Sequence, residues 1–352
     1  MATVLTTAWP TLADVARRLD PTGKIARIAE ILNQYNEILD DIPWIEGNLP
    51  TGHKTTIRAS IPTPTWRLFN QGVVPVKSTS NQVTEGCGMM EAYSEIDYAL
   101  AMLNGNTPEW RASEDAAVLE GMNQMLAGTL FYGDTDVNPE RFVGLAPRYY
   151  TYSSTAVQTT GPQFNVLPAN GFTSQAGLNG SVQTSIWLVG WGEDTVHGIF
   201  PKGSKAGLLM EDLGKKTLLD SNTPQGRYEG YRTHFKWDVG LCVRDWRYVV
   251  RACNVDSTNI LTASDSSDTS ANILKTMSQM IDKIPPSGRA RLVFYMNQTV
   301  RSMLRVKILT RANTWLDITD WVQGRQLPRP SLVFQGIPVR RVDQILNTEP
   351  IL

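Results

Sequence analysis

Residues 198–205, GIFPKGSK, come closest to a chemical motif in this sequence. A phosphate-binding loop reads GxxxxGK[ST]: a lysine directly follows the second glycine, and a hydroxyl residue then opens a helix. Here Ser204 precedes Lys205, Pro201 interrupts the loop, and Ala206-Gly207 would make a poor first helical turn. These departures predict a structural turn at this position rather than a nucleotide site.

His197 stands just before this stretch and, together with Asp194 and a serine, is a candidate for nucleophilic catalysis. Such a nucleophile is normally presented on a sharp strand–turn–helix elbow with the motif GxSxG. The sequence contains no such motif, which favours a structural role for His197 and predicts no catalytic residues. A hydrolase remains an alternative, and it would lose turnover on replacement of His197 by alanine.

The residues that bind transition metals or form disulfides are few and far apart. No two have the spacing of metal ligands on one helix, and no CxxC motif occurs, so we expect no metal, no cofactor and no disulfide framework. Free thiols suit a reducing cytoplasm. The residues in question are His53, His197, His234, Cys87, Cys242 and Cys253.

Trp315 and Trp321, with Arg311 and Arg325 nearby, could stack on the bases of a nucleic acid. The charge balance argues against tight binding of that kind. There are 33 basic and 34 acidic residues, for a net charge of −1, and no basic tract stands out. A dedicated nucleic-acid binder usually concentrates its basic residues on one face.

The bulk composition is that of a globular protein, with 352 residues, 41% apolar and 19% charged. The first residues lack the basic start and apolar core of a signal peptide, and the apolar run LVFYM at 292–296 is far too short for a membrane span. These features predict a soluble protein made inside a cell, without membrane contact.

Apolar periodicity predicts several helices, the longest of which starts at Thr107-Pro108 and ends at Gly133, with a stripe that includes Met122 and Met125. At about 25 residues it would span about 37 Å and could act as a strut. The predicted helices cover residues 11–19, 23–41, 91–103, 107–132, 273–284 and 297–308.

Residues 44–83 are rich in threonine, proline and β-branched side chains, and polar residues alternate on both faces. This pattern predicts an extended two-stranded ribbon with no core of its own, which needs a partner surface. Trp66 and Phe69 are its candidate anchors, either on a neighbouring copy or within their own subunit. Further strands are predicted at 186–191 and 196–200 as a hairpin, at 231–243 and 246–252 as an antiparallel pair, and at 292–296, 314–322 and 332–346.

Five longer stretches have a recognisable sequence, namely residues 30–58, 113–134, 142–149, 188–208 and 334–346. Together they resemble the major capsid proteins of tailed bacteriophages, particularly of short-tailed phages, which have the Hong Kong 97-type capsid fold. The similarity runs over nearly the whole chain, and its specificity comes from the number and order of the stretches.

The resemblance implies an α+β chain with four divisions. Residues 1–43 correspond to an N-terminal helical arm, and residues 44–88 to an extended loop that lies over a neighbouring subunit. Residues 89–255 correspond to a peripheral domain with a long spine helix and long strands. Residues 256–352 correspond to an axial domain and the closing strands.

The resemblance also implies the function. Copies of the chain are expected to form hexamers and pentamers that close into an icosahedral shell around packaged double-stranded DNA, located in the virion and, during assembly, in the host cytoplasm. Expected partners are a scaffolding protein, the portal and the DNA, contacted non-specifically; a decoration protein is a further candidate. The near-neutral charge suits an inner wall that must not hold DNA tightly. A decoration or receptor-binding subunit is the alternative, but the long helices argue against it.

Six residues on the ribbon and on the 198–205 turn are the candidate intersubunit contacts. Some relatives crosslink their subunits covalently through a lysine and an asparagine, but no motif here matches that pair, so we expect no crosslink. The candidate contacts are Lys54, Arg58, Trp66, Phe69, Lys202 and Lys205.

Overall fold

The computed structural model describes residues 34, 36–103, 107–151, 161–169, 182–219, 226–257, 273–286, 288, 290–310, 316–322 and 325–352. Its helices are α1 Ile38–Asp41, α2 Tyr98–Ala101, α3 Thr107–Tyr132, α4 Ile273–Lys283 and α5 Gln298–Thr310. Its strands are β1 Trp44–Glu46, β2 Gly52–Ser60, β3 Thr79–Asp97, β4 Val166–Pro168, β5 Gln183–Trp191, β6 Val196–Phe200, β7 Leu209–Leu219, β8 Arg227–Val243, β9 Val249–Asp256, β10 Arg291–Met296, β11 Leu316–Val322, β12 Arg325–Phe334 and β13 Ile337–Arg341.

The chain forms two compact units. The first comprises Met1–Tyr35, Met89–Ala127 and Gly207–Asp238, and the second comprises Asn36–Gly88, Gly128–Ala206 and Val239–Leu352. No helix among the described residues is long and apolar enough to cross a bilayer.

Strand β5 lies in the core of the second unit, since every residue from Gln183 to Trp191 is buried. It lies between β9 and β10 and is antiparallel to both. The Trp187 ring on β5 packs against Phe131 and Tyr149, at centroid distances of 5.9 and 6.3 Å. A strand covered on both faces needs a nearly continuous apolar run, and IWLVGW supplies it.

The closing strands follow the prediction from sequence only in part. The segment predicted as a strand at 332–346 contains the end of β12, a turn at Gln335-Gly336 and β13, which ends at Arg341. LVFYM forms the central strand β10, which is antiparallel to β5 and parallel to β13. Strand β12 is antiparallel to both β11 and β13, which gives the order β11-β12-β13-β10-β5. The helices predicted at 273–284 and 297–308 are confirmed as α4 and α5.

The first unit is built on the antiparallel pair β7 and β8, in register from Leu209↔Lys236 to Leu219↔Arg227. The register shifts between Asp212 and Lys215, where Gly214 has a φ of +66°. A small core forms from Ile96, Ala101 and Trp110, with Tyr231 packed against it. Strand β7 was not predicted, because most of its residues are exposed and no alternation marks it.

The long helix is confirmed, since α3 has 26 residues and spans about 39 Å. Its residues up to Ala127 belong to the first unit, and the remainder belongs to the second. One detail of the predicted stripe is wrong: Met125 is 55% exposed, whereas Met122, Leu126 and Leu130 are buried.

The helix predicted at 91–103 is wrong over most of its length, because β3 continues to Asp97 and only Tyr98–Ala101 is helical. The segment has a period of two: Ser94 and Ile96 are buried, whereas Glu91 and Tyr93 are exposed. The polar face is held by β8, where Arg232 binds Glu95 and the His234 ring stacks on Tyr93 at 4.5 Å. Tertiary partners therefore override the helix propensity of this segment.

Two predicted strand pairings are also wrong. A tight turn joins β5 and β6, but their single paired position, Trp191↔Val196, is parallel, so they do not form a hairpin. Strand β6 pairs instead with β1 and β8. The strands at 231–243 and 246–252 do not pair with each other, because the 3-10 turn Trp246–Tyr248 directs β9 toward β4 and β5. Of the predicted N-terminal helices, 11–19 lies outside the described residues, and at the end of 23–41 only Ile38–Asp41 is seen as helix.

The C-terminal segment is held in the second unit by a buried ion pair. Glu349 accepts from the Arg251 guanidinium at 2.7 Å, and the two side chains are only 3% and 4% exposed. The hydroxyl groups of Tyr132 and Ser185 also donate to the Glu349 carboxylate. The Arg251 guanidinium also donates a hydrogen bond to the Tyr149 carbonyl, at 2.8 Å. The last residues of the chain thus form part of the core.

The three cysteines form no disulfide, and Cys242 and Cys253 are buried whereas Cys87 is half-buried. Burial raises the pKa of the Cys242 and Cys253 thiols to about 12, and the thiolate is the reactive form. We therefore expect an alkylating reagent to label no more than Cys87 in the folded protein, and all three cysteines in denaturant. Mass spectrometry of the labelled protein measures this. Rapid labelling of Cys242 or Cys253 without denaturant would contradict the prediction.

Candidate functional site

The predicted ribbon is an antiparallel pair made of β2 and the first part of β3. The register runs from Gly52↔Gly86 through Thr56↔Gln82 to Ser60↔Thr79, with one irregularity near the tip. At the tip the Ser60 and Thr79 hydroxyls share a hydrogen bond of 2.7 Å. We call residues 44–88 the extended loop and residues 61–78, between the two strands, its tip.

The tip exposes large apolar side chains. Trp66 is 103% exposed and Phe69 95% exposed, as expected for side chains with no surrounding structure. A turn closes between the Leu68 carbonyl and the Gln71 amide at 3.3 Å, and Asn70 has a φ of +66°. The tip therefore has local shape but no packing. Its other exposed apolar residues are Ile61, Leu68, Val73, Val74 and Val76.

The base of the extended loop is fixed by one asparagine. The Asn48 side chain accepts from the Lys54 amide and donates to the Lys54 carbonyl, both at 2.7 Å. The backbone at Lys54 is therefore held by both of its polar groups, while its side chain remains exposed. Arg58 also lies exposed on β2, and no ion pair joins either cation to a carboxylate among the described residues.

The second strand of the extended loop is anchored by Glu85. Its two carboxylate oxygens accept from the two terminal nitrogens of Arg148 at 2.5 and 2.6 Å. The guanidinium also donates to the carbonyls of Val143 and Gly144. Desolvation lowers the pKa of Arg148, but the hydrogen bond and charge of Glu85 outweigh it and raise the pKa overall. This bidentate pair connects the root of the loop to residues 142–149.

Replacing Glu85 by glutamine should lower the free energy of unfolding by about 2–3 kcal/mol, because it leaves a nearly buried guanidinium without its counter-charge. Glu193→Gln is the matched control, since Glu193 is exposed, and we expect it to change stability by less than about 0.5 kcal/mol. Chemical denaturation of the unassembled subunit measures both variants. Equal midpoints for the two would show that the pair does not anchor the loop.

In the GIFPKGSK stretch, residues 198–200 end strand β6 and residues 201–205 form a turn, as predicted. The Gly203 amide, which in a phosphate loop would face the ligand, donates to the Glu46 carboxylate at 2.8 Å. The Lys202 amide donates to the Leu49 carbonyl, and Ser204 bonds back to the Pro201 carbonyl. Gly203 has a φ of +83°, which favours glycine. Strand β7 follows this turn, whereas a helix follows a phosphate-binding loop. The Gly203 amide already donates to the Glu46 carboxylate, so it is not available to a bound anion.

The catalytic arrangement considered for His197 is not formed. Asp194 is exposed and pairs with Arg244 at 3.0 Å, and the Nδ1 atom of His197 is buried without a hydrogen-bond partner. Burial, reinforced by the nearby His53, lowers the pKa of His197 to about 4, so that the ring is neutral near pH 7. His234, in contrast, has partners, because its Nε2 atom lies 3.4 Å from Glu91.

The structure brings the six candidate contact residues into two neighbouring places. Four lie along the extended loop, and the turn that carries Lys202 and Lys205 is bonded to the base of the same loop through Glu46 and Leu49. Both lysine side chains are exposed. No pattern in the sequence predicts the anchors Asn48, Glu46 and Glu85, because their partners are either local backbone groups or residues far away along the chain.

A model of the family described as "Major capsid protein GP7" matches residues 20–352. Among solved structures, that of bacteriophage epsilon15, obtained by electron cryo-microscopy, is similar to the chain with a TM-score of 0.75 and 34% identity, over 100% of this chain and 99% of that one. The capsid of bacteriophage JBD30 gives a TM-score of 0.43 and 10% identity, over 97% and 96%. Among curated proteins, no match was found.

Proposed function

Because the chain belongs to the GP7 family of major capsid proteins, we propose that its extended loop lies over a neighbouring copy and buries the apolar tip there. The chain is a structural, shell-forming subunit of an icosahedral phage capsid, with the Hong Kong 97-type fold. The expectation from the sequence is therefore confirmed for the family, the fold and the shell-forming role.

The observation that carries the proposal is the exposure of the tip. Trp66 and Phe69 are fully exposed in the single subunit, and the other apolar side chains named above for the tip are exposed as well. A two-stranded ribbon is marginal in water, and an exposed apolar patch of this kind is typical of a protein–protein contact. A second copy of the chain is the partner that a shell always supplies. Packing within the same subunit, the other reading of these rings, receives no support from their exposure.

The four basic residues complete the proposed contact surface. Lys54 lies near the base of the loop and Arg58 near its tip, whereas Lys202 and Lys205 lie on the turn that is bonded to the base. We propose that these four side chains meet carboxylates of the neighbouring copy. Exposed ion pairs contribute only about 0–1 kcal/mol each, so they would select the register of the contact while the aromatic rings supply most of its energy.

The finer organisation of the shell is also part of the proposal. Copies form hexamers and pentamers around packaged double-stranded DNA, with a scaffolding protein and a portal as partners, and assembly takes place in the host cytoplasm. Residues 1–43 act as the N-terminal arm, 89–255 as the peripheral domain and 256–352 as the axial domain. The near-neutral charge supports only weak, non-specific contact with the DNA. The chain acts without catalysis.

Shells of this protein should be held together without covalent crosslinks, since no motif matches the known crosslinking pair. We expect purified shells boiled in detergent to run as a single band at the mass of the monomer, 39.1 kDa. A ladder of covalent multimers would contradict this prediction.

A photo-crosslinking residue at position 66 tests the proposed contact directly. In assembled shells, illumination should join two copies, whereas dilute unassembled subunits should stay monomeric. Val137, which is 73% exposed in the same compact unit, provides the control position. Crosslinks within one copy only, or equal intermolecular crosslinking from positions 66 and 137, would overturn the proposal.

A further inference from the structure

Three potential metal ligands meet in the second unit, although they are far apart in sequence. One ligand atom from each of His53, His197 and Cys242 lies within 4.8 Å of the other two. The sequence predicts no metal site, because no two of these residues have local ligand spacing. The fold brings them together, and within the described part of the chain this is the one group of its kind.

Strand pairing explains how the group forms. His197 on β6 and Cys242 on β8 are directly opposite in an antiparallel pair, so their side chains emerge on the same face. His53 comes from the start of β2, at the root of the extended loop, and its ring meets that of His197 edge-on, with centroids 5.8 Å apart. Three separate strands thus contribute one ligand each.

Two members of the group are buried, and one of these two is incompletely satisfied. His197 is 2% exposed, and its Nδ1 atom has no hydrogen-bond partner, while Cys242 is fully buried. A buried nitrogen with a free lone pair is costly unless something binds it. Burial also keeps the His197 imidazole neutral, which is the form that binds metals.

We propose that His53, His197 and Cys242 bind a divalent transition-metal ion of the zinc class, and that this ion fastens the first strand of the extended loop to β6 and β8. Two imidazoles and one thiolate are a ligand set that zinc accepts, with a fourth position left for water or another donor. Zinc needs no redox partner, so binding involves only the loss of the thiol proton to solvent, which a coordinating metal drives.

The surrounding charges are compatible with the ion. Glu85 is opposite His53 in the β2–β3 ladder, and its carboxylate and the Arg148 guanidinium that it binds act on Cys242 in opposite directions. The two nearby cations already have partners, because Arg148 binds Glu85 and Arg244 binds Asp194.

Metal binding would break one hydrogen bond that the structure shows. The Nδ1 atom of His53 accepts a long hydrogen bond, 3.3 Å, from the Asn48 amide. A histidine that ligates through Nε2 carries its proton on Nδ1, so this bond would be lost. The position is exposed, and water can replace the lost partner of the Asn48 amide.

Cobalt(II) added to the full-length protein tests the site, because a thiolate ligand gives a sulfur-to-cobalt charge-transfer band. We expect this band at one equivalent of cobalt, its loss on zinc addition, and its absence in Cys242→Ser and in His53→Gln. His53 is only half-buried, so His53→Gln keeps a folded variant available even if Cys242→Ser misfolds. Cys253→Ser and His234→Gln are the matched controls and should retain the band.

Absence of the band in the unmodified protein, or its persistence in His53→Gln, would overturn the proposal. Hydrogen exchange provides a second measurement that addresses the fastening itself. Zinc should slow exchange in residues 49–57 of the unmodified protein at least several-fold, and should leave His53→Gln unchanged. Equal slowing in both proteins would also contradict the site. Neither readout depends on shell formation, so failure here is separate from failure of the proposed loop contact.

Discussion

Replacing Trp66 and Phe69 together by serine should abolish shell closure while leaving the unassembled subunit as stable as before. Both rings are fully exposed in the single subunit, so their removal costs the subunit no packing. Burial of a large apolar side chain contributes about 1.5–3 kcal/mol, so each subunit would lose about 3–6 kcal/mol of contact energy. Because every copy in a shell carries the same defect, the loss is repeated at each contact.

Sedimentation of assembly reactions and thermal unfolding of the subunit measure the two halves of this prediction. Val137→Ser is the matched control, because Val137 is also exposed but lies outside the extended loop, and it should assemble normally. If the double variant closes shells as readily as this control does, the tip is not an intersubunit anchor. If it unfolds at a lower temperature, the rings pack within their own subunit.

Replacing Glu349 by alanine should lower the free energy of unfolding by about 3–5 kcal/mol, because it leaves the buried Arg251 guanidinium without its counter-charge. The hydroxyl groups of Tyr132 and Ser185 lose their acceptor at the same time. The effect should exceed that of Glu85→Gln, since the Arg251–Glu349 pair is the more deeply buried of the two.

Denaturant titration of the unassembled subunit checks this prediction, with Glu140→Ala as the exposed control. The double variant Arg251→Met, Glu349→Leu should recover part of the lost stability, because it removes both buried charges rather than one. If Glu349→Ala and Glu140→Ala unfold at the same denaturant concentration, the C-terminal segment is not part of the core.

Sequence patterns predicted the elements whose environment is uniform along their length. LVFYM had to be a central strand because it is apolar on both faces, and the long helix carries its own start signal and period. The prediction for the segment Glu91–Asp97 was wrong because the polar face of this segment is held by residues on β8, more than a hundred positions away. Such partners cannot be read from local propensity.

The candidate site also has one part that could be predicted from the sequence and another part that could not. The tip of the extended loop could be predicted, because aromatic residues between prolines in a polar ribbon have no local place to pack. The anchors could not, since Glu85 depends on Arg148 and the metal ligands depend on strands that meet only in the fold. The prediction that β5 and β6 form a hairpin was wrong, because a short turn does not by itself decide which strands pair.

A reconstruction of the assembled particle by electron cryo-microscopy tests the central claim most directly. The account predicts closed icosahedral shells in which residues 61–78 of each copy lie on a neighbouring copy, with the Trp66 and Phe69 rings buried in that contact. Open or discrete oligomers would contradict it. Shells in which the tip folds back on its own subunit, or in which both rings are still exposed, would contradict it as well.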